Sequence, residues 1–332
     1  MKSNIELIGE VDKFAYSDET SARLQQKQET LWTLLWRDDE GFYPVGYILD
    51  RVLAELQAAP QDVRGPLTWD KRARTIRLLE GVEPEAERTQ QIAKLTGYWR
   101  QKETFPLLKG WRNELWPVYG RKGELLFSME RTAVGLLGAM RYGVHMIAYI
   151  KDDSAPYGIR FWVPRRAANK STFPGMLDNT VAGGLATGED PFECLIREAD
   201  EEADLPGNVV RSRAKHVDVV TYMYITEKER VGEADYIYPE CQWVYDLELP
   251  IDVIPQPKDG EVEEFCLCDV SEVKAQLAAG EYKPNCALVV IAFFIRHGIL
   301  TKENEPDLVS IEKRIHRDLP FPGPHKVSSF KW

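Results

Sequence analysis

The chain has 332 residues, 44% of them hydrophobic and 29% charged, enough to bury the cores of about two globular domains. With 42 Lys and Arg against 53 Asp and Glu, the net charge is −11, which repels phosphate backbones and argues against nucleic acid as a partner. No apolar run approaches the ~18–20 residues of a membrane span. Five scattered cysteines and an N-terminus carrying Glu6, Glu10 and Asp12 point to a reduced, cytoplasmic chain.

In chain order, Leu24, Leu31 and Leu35 fall on one helical face, as do Ile48, Val52 and Leu56. Another helix follows Pro84 and runs toward Trp99, and residues 111–119 and 124–127 read as strands around a turn at 121–123. Six of the nine tryptophans lie in these first ~120 residues, so residues 1–135 form a folded accessory unit of mixed α/β type. From Val144 the texture changes. Strands are expected at 144–150, 159–163, 209–224, 234–249 and 262–268. Helices are expected at 191–203, 271–279 and 285–297, the last capped by Asn285 and closed by Gly298. This second unit spans 136–301. A tail, 302–332, carries a short helix at 308–316 and a proline-rich, irregular end.

The chemistry concentrates between Gly183 and Leu205. A glycine-rich loop (Gly183, Gly184, Gly188) leads into a helix whose first turn carries Glu189 and Asp190, well placed against the helix dipole. Phe192, Leu195, Ile196 and Ala199 make its apolar face. Glu198, Glu201 and Glu202, at i, i+3 and i+4, converge on another. Like charges at that spacing repel in a solvated helix. A hard cation such as Mg²⁺ reverses the sign, because it takes carboxylate oxygens and completes its shell with water and substrate phosphate. Arg197 reaches back to Glu189 and pins the loop to the helix.

The pattern G-x5-E-x7-R-E-x2-E-E resembles the Nudix box of the Nudix hydrolases. The resemblance implies an α/β/α sandwich with a mixed sheet, Mg²⁺ or Mn²⁺ as cofactor, and attack of water on an organic diphosphate. It makes Glu198, Glu201 and Glu202 metal ligands, completed by the Gly183 carbonyl, with Glu198 and Glu202 catalytic. Ala199 and Asp204 depart from the family pattern; Asp204 replaces the glycine that ends the helix, and Pro206–Gly207 is expected to supply the turn. The family's base often lies in a later loop, which here reads Asp259-Gly-Glu261-Val-Glu-Glu264. Glu261 is the first choice and Glu264 the second. Before the box, Arg165, Arg166 and Lys170 put three cations within six residues of an acidic chain and suit a phosphate. A similar basic run occurs in isoprenoid diphosphate isomerases, but the cysteine of those proteins is missing here.

Together the segments YGVHMIAY, WVPRRAANKSTFPGMLDNTVAGG, YDLELP, DGEVEEF and KPNCALVVIAFFIRHG resemble one Nudix subgroup. These are the fungal and plant proteins related to the Nudix part of thiamine pyrophosphokinase fusions. That resemblance implies a diphosphatase of thiamine diphosphate, preferring oxo- and oxythiamine diphosphate, that yields the monophosphate and phosphate. The alternatives are a Nudix hydrolase of another diphosphate, such as a nucleotide sugar, or a non-catalytic diphosphate-binding module. The oligomeric state is left open.

Overall fold

The computed structural model describes residues 1–14, 30–227 and 233–327. Strands β1 (Leu31–Asp38), β2 (Gly41–Leu49), β3 (Leu67–Asp70) and β4 (Thr75–Leu78) form a sheet in the order β2-β1-β4-β3. A hairpin of β5 (Leu115–Tyr119) and β6 (Leu125–Glu130) follows. The large sheet runs β10-β11-β7-β8-β12, with β9 on β7. Its strands are β7 (Arg141–Lys151), β8 (Ile159–Arg166), β9 (Val181–Gly184), β10 (Lys215–Ile225), β11 (Ile237–Glu248) and β12 (Val262–Asp269). The sheet is mixed, since β7 and β11 run parallel while the other pairs are antiparallel.

Because side chains alternate along a strand, β7 feeds two cores. Val144, Met146 and Ala148 pack with Leu195 and Ala199 of the Pro191–Ala203 helix. Ile147 joins the Pro284–Arg296 helix on the other face. Among these, each buried Val, Met, Leu or Ile side chain contributes about 1.5–3 kcal/mol. The result is the α/β/α sandwich with a mixed sheet that the sequence resemblance implies, preceded by an α/β unit. That unit shares a continuous core with the Pro284–Arg296 face, from Trp32 and Ile48 through Trp116 and Phe127 to Phe293. No described helix is long and apolar enough to cross a membrane.

Several local expectations are corrected. Leu31 and Leu35 lie in β1, not in a helix; the run Leu31–Asp38 pairs with both β2 and β4, and this sheet pairing overrides the coincidental helical spacing. Leu24 lies outside the described residues. Ile48 ends β2, and the helix holding Val52 and Leu56 is Asp50–Ala58. Residues 207–213 form a short helix entered from Pro206 and anchored by buried Val210, so β10 starts only at Lys215. The Pro284–Arg296 helix is entered through Lys283 and a first-turn Pro284, with no side-chain cap; Asn285 instead faces His145 at 3.5 Å.

The two ends of the chain meet. The Asn4–Val11 helix packs on the Pro284–Arg296 and Leu308–Ile315 helices. Asp12, fully buried, accepts from Arg317 Nη1 at 2.7 Å and lies 3.3 Å from Arg314 Nε. Leu319 and Phe321 are buried beyond this clamp, so the irregular end is fastened to the body. Removing one partner of a buried ion pair leaves the other charge uncompensated. We therefore expect Asp12→Ala to destabilise the protein by about 3–5 kcal/mol in urea unfolding, whereas Asp318→Ala at the exposed Lys326 pair shifts stability by less than about 1 kcal/mol.

Candidate functional site

The Pro191–Ala203 helix is fixed at both ends. Asp190 accepts from the backbone N–H groups of Phe192 and Glu193, and Pro191 needs no partner in the first turn. At the other end Asp204 itself takes the left-handed conformation (φ 49°, ψ 33°), so Pro206–Gly207 does not supply the turn. Lys258 ties Asp204 (3.1 Å) and Asp200 (2.7 Å) to a neighbouring loop. Leu195 and Ala199 bury one face against the sheet, and this directs Glu198 and Glu202 toward β9.

Glu202 is buried, and one carboxylate oxygen accepts from Ala182 N–H at 3.0 Å. Burial, with the nearby charges of Glu198 and Asp178, drives its pKa well above the ordinary carboxylate range. Burial also raises Glu198 to about 7 against the pull of Arg197, which lies 2.9 Å away. A side chain at Gly183 would run into the Glu198 carboxylate, so that glycine is the floor on which Glu198 rests. Arg197 grips Glu189 with two bonds (2.8 and 3.2 Å) and Glu201 with a third (2.9 Å). Glu201 is half-exposed and bonded to Arg197, whose Nη1 stands between it and Glu198 at 2.9 Å from each. Accordingly, among the described residues no three His, Cys, Asp or Glu side chains stand together in an arrangement that holds a metal ion.

The donor chemistry nevertheless suits a hard cation. Two adjacent carboxylates are removed from water, and Glu202 has a backbone N–H as partner where a charge is needed. Glu261 adds to the negative field at both. Its own pKa is lowered: burial opposes ionisation, but Lys170 (2.5 Å), Arg166 and Arg112 outweigh it. Glu264 is more exposed and lies 3.5 Å from Arg165.

The three cations expected to meet phosphate are all engaged. Lys170 is on Glu261, and Arg165 donates to the Gly175 carbonyl (2.9 Å) besides facing Glu264. Arg166 is mostly buried, paired with Asp178 at 2.6 Å and bonded to the carbonyls of Thr172 and Phe173.

Gly183 and Gly184 also edge a cavity of about 630 Å³ between the large sheet and residues 106–135. It is lined by Arg112, Trp116 and Arg131 from the accessory unit, by Arg141, Tyr222, Tyr238, Glu240 and Gln242 from the sheet, and by Lys283. Apart from Lys283, which opens the segment KPNCALVVIAFFIRHG, the sequence offered no motif for these residues. They come from separate stretches of the chain: the pairing of β7, β10 and β11 brings Arg141, Tyr222, Tyr238, Glu240 and Gln242 together, and Arg112, Trp116, Arg131 and Lys283 enter from outside those strands. The tryptophan that lines it is Trp116.

Two stretches of the chain match known families. Residues 141–288 match the family model of the NUDIX domain, and residues 27–141 match a domain of unknown function, DUF4743. An uncharacterized protein of Saccharomyces cerevisiae is 44% identical over 219 residues, covering 65% of this chain and 64% of its own length. Nudix hydrolase 20, chloroplastic, of Arabidopsis thaliana is 36% identical over 239 residues, covering 71% of this chain and 60% of its own. The chain thus spans less than two thirds of either relative. The solved structure of DR0079 from Deinococcus radiodurans aligns over 61% of this chain and 100% of its own, at 21% identity and a TM-score of 0.34.

A buried carboxylate held for a cation costs stability when none is bound. Its folded pKa is raised, so the penalty is absent below the unfolded value, near 4.5, and grows as pH rises above it. Glu202→Gln keeps the acceptor for Ala182 N–H and removes the charge. In EDTA at pH 8 it is expected to raise unfolding stability by about 1–2 kcal/mol, with the gain fading by pH 4. An equal effect at both pH values rules out this account.

Proposed function

The chain carries a Nudix domain over residues 141–288, and from that premise we propose that it hydrolyses organic diphosphates with a divalent cation, Mg²⁺ or Mn²⁺. The observation that carries the reading is the buried Glu198–Glu202 pair set against Gly183, at the rim of a cavity lined with aromatic rings and cations. Glu198, Glu202 and the Gly183 carbonyl would hold the cation, joined by Glu201 once released from Arg197. The cation supplies neutralisation of the diphosphate charge. Glu261, ionised and close enough to act on both carboxylates, is the group that takes the proton from the attacking water; Glu264 lies farther out. Arg165, Arg166 and Lys170 border this region, and contact with phosphate requires their present pairs to open.

Within that class we assign a thiamine-type diphosphate, cleaved to the monophosphate and inorganic phosphate. The support is the subgroup resemblance together with the cavity. Oxidation of the thiazolium, as in oxothiamine, removes its fixed positive charge, and a neutral ring enters a cavity lined by four cations at lower cost than a cationic one. All five cysteines are free, which suits a reducing, cytoplasmic compartment. A nucleotide sugar is the second reading, since the same aromatic walls accept a base.

Glu198→Gln and Glu202→Gln are each expected to lower turnover at least about 100-fold at saturating Mg²⁺ while the protein stays folded, because each removes a charge from the cation site. Near-normal rates in either variant remove the assignment. Among substrates, kcat/KM is expected to fall from oxo- or oxythiamine diphosphate to thiamine diphosphate and then to ADP-ribose and nucleotide sugars. In ¹⁸O-water the label should enter inorganic phosphate. A nucleotide sugar at the head of that order, or label in the organic monophosphate, overturns the substrate or the site of attack.

A further inference from the structure

The accessory unit does more than cover the large sheet. Thr187, in the glycine-rich loop, donates its N–H to the Leu115 carbonyl at 2.9 Å and its hydroxyl to Ser128 Oγ at 3.0 Å, so the β5–β6 hairpin is stitched to the loop that leads into the carboxylate helix. A side chain at Gly184 would collide with the Trp116 ring, just as one at Gly183 would collide with Glu198. Gly183 thus touches a carboxylate and Gly184 touches the indole, and both glycines line the cavity.

The cavity's cations fall into two kinds. Arg131 is paired with Glu114 (3.0 Å) and Arg141 with Glu240 (3.1 Å), and both guanidinium groups lie over the Trp116 ring, at 4.8 and 5.0 Å. Arg141 is also 4.3 Å from the Tyr238 ring, and Glu240 accepts from Tyr222 and Gln242. These groups lock one another into an aromatic wall. Arg112 and Lys283 are different: no carboxylate lies within ion-pair distance of either among the described residues. Their fields nonetheless reach the site, since Arg112 helps keep Glu261 ionised and Lys283 does the same for Asp178. Two cations without ion-pair partners at one cavity of a chain with net charge −11 mark a place for an anion.

We propose that the accessory unit forms part of the ligand site: Arg112 and Lys283 take the diphosphate of an organic diphosphate beside Gly183–Gly184, and Trp116 with Tyr222 and Tyr238 takes its flat ring. The proposal rests on the diphosphatase reading and assigns the groups that hold the substrate. A cavity of this size suits a ring-bearing diphosphate, as ligand pockets span about 300–1,000 Å³.

The test is calorimetric titration of the full chain in EDTA, with inorganic pyrophosphate and thiamine diphosphate as probes, beside steady-state KM in Mg²⁺. Arg112→Ala and Lys283→Ala are expected to weaken both probes at least about tenfold, as loss of an ionic hydrogen bond does. Arg112→Lys and Lys283→Arg, which keep the charge, should stay within about threefold of the parent. Trp116→Leu is expected to weaken thiamine diphosphate at least about fivefold and pyrophosphate less than about twofold. Unchanged affinities and KM in both alanine variants, or equal losses of both probes in Trp116→Leu, overturn the proposal, as does a parent protein that binds neither probe. If the parent binds as expected but releases no phosphate from any organic diphosphate, the hydrolase reading falls while the site assignment stands. If it turns over with unaltered KM in both alanine variants, the reverse holds.

Discussion

The organisation of this protein depends on the absence of two side chains. At Gly183 and Gly184 the strand β9 has protein on both sides within a Cβ's reach, a carboxylate below one glycine and an indole above the other. Any larger residue would push either Glu198 off its floor or Trp116 out of the wall. The constraint is steric, and it couples two units of the chain: the Pro191–Ala203 helix that presents the carboxylates and the β5–β6 hairpin that closes the cavity both take their positions from the same four-residue strand.

Charge is arranged around that wall in opposite senses. Below it, burial crowds Glu198 and Glu202 until both resist ionisation. The local remedy, Arg197, is spread over Glu189, Glu198 and Glu201 and so neutralises none of them completely. A single guanidinium has five N–H donors but one unit of charge. The site therefore holds more carboxylates than its one arginine can neutralise.

How far the sequence alone leads follows from how local each feature is. The Pro191–Ala203 helix, its Asp190 cap and the Arg197–Glu189 bond depend on residues within nine positions of one another, and spacing reveals them. The alternation of Trp243, Tyr245, Leu247 and Leu249 likewise marks one strand face, and all four are buried in the same core. Where spacing misled, a nonlocal pairing decided: Leu31 and Leu35 imitate a helix but join a sheet through β4, some forty residues away. Glu201 sits at the right spacing, and only side-chain geometry shows that it is turned to Arg197. The cavity was least legible of all. Arg112, Arg141, Tyr238 and Lys283 have no motif in common; the sheet order β10-β11-β7 brings Arg141 and Tyr238 together, and Arg112 and Lys283 reach the cavity from other segments.

That sheet order also explains why an acidic protein presents basic groups at one cavity. The parallel pairing of β11 with β7 sets Glu240 beside Arg141, and the antiparallel pairing of β10 sets Tyr222 beside Glu240. Glu240 thereby spends its charge on Arg141 and its remaining lone pairs on Tyr222 and Gln242. The acidic group inside the cavity is thus neutralised by the wall it belongs to, while Arg112 and Lys283 line the cavity from the accessory unit and from the helix N-terminus. In a low-dielectric cleft, the field of such cations is felt strongly within and screened outside. The overall charge of −11 repels polyanions from the surface, whereas four cations, Arg112, Arg131, Arg141 and Lys283, line this one cavity.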